Sequence, residues 1–178
     1  MVIKLENPFF AKNLLAEGVS NKESSYNWYV SADKIFKSNV EGFTDFARIL
    51  WIEFHVSRFS LFDGTKSSDT AVAAKDVKVY MISGPHCAMI QGRLAKGVVI
   101  PKITINKTAV LMGKIEIFEK KEFSQCVIQS FSVAGDVVSF SFRYSSYSDT
   151  YTDFDETGTN KGTAATQIDL AKWEVKDS

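Results

Sequence analysis

Cysteine, histidine and proline are scarce in this chain: two Cys, two His and three Pro in 178 residues. Cys87 and Cys126 are too few for a disulfide framework, and their spacing leaves open whether they pair. Together with His55 and His86 they match no zinc spacing, so no metal and no cofactor is expected. A Cys87 nucleophile would need a base and an orienting group, and nothing in the spacing supplies them. No catalytic constellation is found, and an enzyme is not expected. Net charge is absent as well, because 21 Lys and Arg offset 21 Asp and Glu. A neutral chain has no global attraction for polyanions, so no nucleic-acid partner is expected. Long apolar runs are missing too. None approaches the roughly 20 residues of a membrane-spanning helix, so no membrane insertion is expected. Acidic and polar residues interrupt the opening MVIKLENPFFAKNLLAEG, which therefore reads as no signal peptide. The expected location is the cytoplasm, or a secretion route without a cleaved signal.

What is present favours one β-rich domain. A mass of 19.9 kDa suits a single core without metal or disulfide staples. Fourteen Phe, six Tyr and three Trp, with many Val and Ile, lean toward sheet. The chain opens differently. Asn7 can cap a helix, Pro8 suits its first position and Gly18 its end, which predicts a short helix over 8–17. Residues 1–25 are therefore expected to be an appendage to a domain at 26–178. From residue 26 the apolar period becomes two. Strands are predicted at 27–36, 47–58, 76–82, 98–108, 111–122, 125–133, 137–144 and 166–175. Val138, Phe140, Phe142 and Tyr144 alternate with Ser139, Ser141 and Arg143, the clearest strand pattern in the chain. PHCAMIQGRLAKG reads as a helix over 85–97, with Ser83 and Gly84 as cap candidates and Gly97 as its end. Pro101 is expected at a strand start or edge. About eight strands in one small domain predict a closed antiparallel β-barrel, which removes free edges.

Three segments are polar or mixed. FSLFDGTKSSDTAVAA (59–74) reads as a long loop, yet Phe59, Leu61, Phe62 and Val72 are apolar. A loop of this length is usually functional, and its apolar residues need something to cover. The segment 145–163 reads as a polar turn region. Within it DFDETG hints at a calcium loop, but the position for the bidentate Glu is Ala164, so a solvated acidic turn is expected. EIFEKKE (116–122) reads as an exposed strand end whose charges blunt a sheet edge.

In their order the elements resemble the haemolysin-coregulated protein (Hcp) family, tail-tube subunits of bacterial type VI secretion systems. NWYVSADKIF, KSNVEGFTDF and ILWIEFHVSR are similar to the family's first strand, polar loop and second strand. FSLFDGTKSSDTAVAA corresponds to its extended loop, and VKVYMISGPHCAMIQGRLAKG to its strand and short helix opened by Pro and closed by Gly. IEIFEKKEFSQCVIQSFSV, VVSFSFRY, DETGTNKG and IDLAKWEV follow in the family's order. The resemblance covers residues 26–175 and is that of a divergent member. It implies a small barrel with one flanking helix, six-membered rings that stack into a hollow tube, and effectors carried or co-secreted. Implied partners are the chain itself and the spike, sheath and effector proteins of the apparatus. The apolar residues Phe59, Leu61, Phe62 and Val72 would then form the subunit interface. A phage-type contractile tail-tube protein and a monomeric small-molecule-binding β-barrel are the alternatives.

Overall fold

The computed structural model describes residues 26–37, 44–62, 67–155, 157–170 and 174–177, with backbone alone for 58–62, 67–73 and 174–177. The helix expected over 8–17 lies outside them. Twelve strands and one helix follow in the order β1 (Asn27–Ala32), β2 (Ala47–Ile49), β3 (Trp51–Glu53), β4 (Val56–Phe62), β5 (Ser67–Ala74), β6 (Val77–Ile82), α1 (His86–Lys96), β7 (Ile100–Leu111), β8 (Lys114–Ala134), β9 (Val137–Arg143), β10 (Ser146–Phe154), β11 (Asn160–Asp169) and β12 (Glu174–Asp177). The mainly β class with one short helix is as expected, with more strands than the predicted eight.

The strand ladder closes on itself. β1 pairs with β2 on one edge and β7 on the other, and β7 pairs with β8. The second half of β8 pairs with β9, β9 with β6, and β6 with β3. Only Leu50 separates β3 from β2, and its N–H donates to the Tyr80 carbonyl at 2.8 Å. The result is an antiparallel barrel without a free edge around this ring. β10, β11 and β12 extend from the first half of β8. β8 therefore has two partners on one edge, β10 over its first half and β9 over its second. The exchange occurs where Gln125 takes φ 50°, a left-handed conformation that turns the strand. Two strands were expected there, at 111–122 and 125–133. The structure makes them one strand of 21 residues, bent close to the anticipated break.

Alternation decides which side chains fill the barrel. Val30, Val79, Ile103, Phe123, Val138, Phe140 and Phe142 are all buried. Burying a Val, Ile or Phe contributes about 1.5–3 kcal/mol by area transfer. The Phe123 ring meets Phe142 at 5.3 Å and Tyr144 at 5.0 Å, edge to face. α1 buries Ile90 against this core. Pro85 occupies the cap position, not Ser83 or Gly84, and no side chain caps the helix. Gly97 ends it at φ 60°, and the Gly97 and Val98 N–H groups donate to the Leu94 and Arg93 carbonyls. Pro101 is the second residue of β7, where a missing N–H is tolerated.

The region 145–163 is a correction. It is not an extended turn: β10 and β11 pair across most of it, and only about 155–159 turns the chain. Tyr, Thr and Ser suit strands as well as turns, and the pairing with β8 decides between them.

Candidate functional site

The expected loop at 59–74 is a β-hairpin. Phe59, Leu61 and Phe62 lie in β4 and Val72 in β5. Phe59 stands opposite Ala71, Leu61 opposite Ser68, Phe62 opposite Ser67 and Arg58 opposite Val72. The register slips between Phe59 and Leu61, the mark of a bulge. Punctuation by Gly64, Ser and Thr suggested a loop; cross-strand pairing overrode it. Among the described residues β4 and β5 pair with each other and with no other strand. A lone two-stranded hairpin is marginally stable in water, so this one needs a further surface to pack on.

A second feature was not expected. Three transverse rows line one face of the sheet formed by β7, β8, β10 and β11. The first is Ile103, Phe123, Tyr147 and Ile168; the second Ile105, Lys121, Asp149 and Thr166; the third Lys107, Glu119, Tyr151 and Ala164. Side chains two apart on a strand share a face, so the apolar interior runs directly into a charged layer. Lys121, Glu119 and Asp149 have side chains only 8%, 10% and 13% exposed. The EIFEKKE segment is thus not an exposed strand end; half of its charges point inward. Lys120 and Glu122, on the other face, pair with each other near solvent, and Lys102 joins them.

The Lys121 ammonium donates to Asp149 Oδ2 and is paired with Glu119 Oε1 at 2.6 Å. Tyr151 donates its hydroxyl to Glu119 Oε1 at 2.9 Å. Lys121 also lies over the Phe54 ring at 5.1 Å. Burial alone would lower the Lys121 ammonium, but Asp149 and Glu119 outweigh it and hold it above the ordinary lysine range. Burial raises the Asp149 carboxyl, and Lys121 offsets only part of this, because one ammonium is divided between two carboxylates. Asp149 Oδ1 is buried without a hydrogen-bond partner. The cluster ties β10 to β8 in one register, since a slip of one residue would turn both carboxylates to the opposite face. No sequence signal identifies it, because Asp149 is 28 residues from Lys121.

Cys87 and Cys126 are both free thiols. Burial pushes the Cys126 thiol up to about 12, which leaves it unreactive near neutral pH. His86 is lowered by burial, partly offset by its contact with the Ile82 carbonyl. Among the described residues no three His, Cys, Asp or Glu side chains converge to hold a metal. In the DFDETG turn, Asp155 Oδ1 accepts from the Thr157 and Thr159 N–H groups at 2.9 Å each and from the Thr157 hydroxyl at 2.6 Å. Its carboxylate builds the turn, as the acidic-turn reading expected.

No protein-family model and no curated protein matches the sequence. Solved structures match the fold. A type six secretion system protein superposes with a TM-score of 0.76 at 13% identity, covering 85% of this chain and 99% of that one. Hcp1 from Salmonella typhimurium gives 0.68 at 13% identity, covering 86% of this chain and 100% of that one. A type VI secretion system effector from Yersinia pestis gives 0.62 at 11% identity, covering 80% and 98%. Nearly the whole length of each is matched while little of the sequence is shared, and the chain has the Hcp fold.

Proposed function

We propose that this protein is the tube subunit of a type VI secretion system. In this reading it forms six-membered rings that stack into a hollow tube, and effectors are carried in the tube or secreted with it. The observation that carries the reading is the fold, shared over nearly the full length of the Hcp1 structure. The β4–β5 hairpin supports it by offering a contact surface outside the barrel. Head-to-tail contacts of one surface with a different one close into a ring when the rotation closes. Zero net charge allows identical subunits to stack without strong repulsion. The proposed partners are further copies of the chain and the spike, sheath and effector proteins of the apparatus. The subunit would assemble in the cytoplasm and leave through the apparatus without a cleaved signal. No catalytic role is proposed. A phage-type tail tube would share this architecture. The ligand-binding barrel is less well supported, because the interior holds packed Val79, Ile103, Phe123 and Phe140.

Phe59, Leu61, Phe62 and Val72 are proposed as the clasp on the next subunit. Each such side chain buried there contributes about 1.5–3 kcal/mol, against which stand the costs of association. Replacing Leu61 and Phe62 together by Ser is expected to leave the circular dichroism of the barrel unchanged and to dissociate the ring in sedimentation velocity. A double variant that assembles like wild type removes the hairpin from the interface. A wild-type chain that stays monomeric at high concentration overturns the tube reading itself.

A further inference from the structure

Beyond the charged layer the barrel end opens into a groove of about 550 Å³, within the range of small-molecule sites. The β8 bulge shapes it. Lys107 pairs with Glu119 and Thr108 with Ile117, so Phe118 is the extra residue. Its ring forms a wall with Tyr26, at 5.2 Å and 83°. Tyr151 faces it from β10 and is half exposed, and Gly162 and Ala164 of β11 keep the far side shallow. A Cβ added at Gly162 would meet nothing within 4 Å.

One charge in this groove is unspent. The Lys107 ammonium lies 4.5 Å from the Tyr26 ring centre and 5.7 Å from that of Trp28. Among the described residues it has no carboxylate partner. Its cross-strand neighbour Glu119 is already held by Lys121 and by the Tyr151 hydroxyl. A cation with free donors, set among aromatic faces, suits a flat apolar body that carries an anionic group: the ring stacks and the anion takes the charge-assisted hydrogen bond. Asp153 stands exposed at the rim and disfavours a second negative charge.

We infer that this groove is a binding site for singly charged aromatic anions, a carboxylate or sulfonate on a flat ring system. The inference stands independently of the tube reading. The probe is anilinonaphthalene sulfonate, titrated by fluorescence against the full chain, with uncharged phenylnaphthylamine in parallel. The expected result is saturable binding of the sulfonate, one per chain. Lys107→Gln should weaken the sulfonate about tenfold, the scale of one charge-assisted contact, and leave the neutral probe unchanged. Ala164→Trp should block both by filling the shallow side, and Asp153→Asn should tighten the sulfonate alone. Circular dichroism checks that each variant is folded. Binding that never saturates, or that neither Lys107→Gln nor Ala164→Trp alters, overturns the site. Equal loss of both probes in Lys107→Gln overturns the anion preference.

Discussion

Glu119 and Asp149 share the ammonium of Lys121 in a nearly dry layer of the barrel. Breaking a buried ion pair by removing one partner typically costs about 3–5 kcal/mol, yet the intact pair adds little over apolar packing. Its larger effect is on register, because β10 can satisfy Lys121 in only one alignment. The Asp149 carboxyl is raised in the fold by burial. A carboxyl raised on folding favours the folded state fully below its unfolded value, near 3.9, and loses that contribution as pH rises through the folded value. Asp149→Asn removes this dependence and keeps an oxygen to accept from Lys121. Urea midpoints should therefore shift in favour of wild type over Asp149→Asn as pH falls from about 7 to about 4. A gap that stays constant, or moves the other way, means that Asp149 is not raised.

At the scale of elements, α1 was the most legible part of the chain. Its start at Pro85 and its end at Gly97 follow from local backbone chemistry alone. Gly97 sits at φ 60° and ψ 31°, with open space where a Cβ would go. Gly97→Ala therefore meets no clash and costs only the left-handed conformation, about 1 kcal/mol in thermal or chemical unfolding. A neutral effect would mean that the helix ends elsewhere in solution. β8 was less legible. Its apolar alternation is interrupted at 116–122 by charges of both signs on both faces, so period two points to no inner face. The inward pair becomes visible only when β10 lies alongside.

Over the whole molecule, ring closure from β1 through β7, β8, β9 and β6 to β3 leaves residues 1–25 outside the barrel ladder that begins at Asn27. We propose that they are an appendage to the domain at 26–178. A chain starting at Lys22 should keep its β-type circular dichroism and unfold cooperatively, since the ring of strands retains its own core. Loss of cooperative unfolding would place those residues in the core instead. The hairpin and the charged barrel end are separate features of this scale, one proposed to act between subunits and the other tying strands within one.

Sequence alone determined the elements whose causes are local. Strand β9 was evident from Val138, Phe140 and Phe142 because a pleated strand places alternate residues on one face whatever its neighbours are. The helix end at Gly97 was evident because only glycine adopts φ 60° without cost. Tertiary structure decided the features that depend on which strand lies next to which. It made a hairpin of 59–74, strands of most of 145–163 and a buried ion cluster of half of EIFEKKE. The physical reason is the same in each. Ser, Thr, Asp and Lys accept a loop or a strand almost equally, so the choice falls to cross-strand hydrogen bonds and charge partners many residues away in the chain.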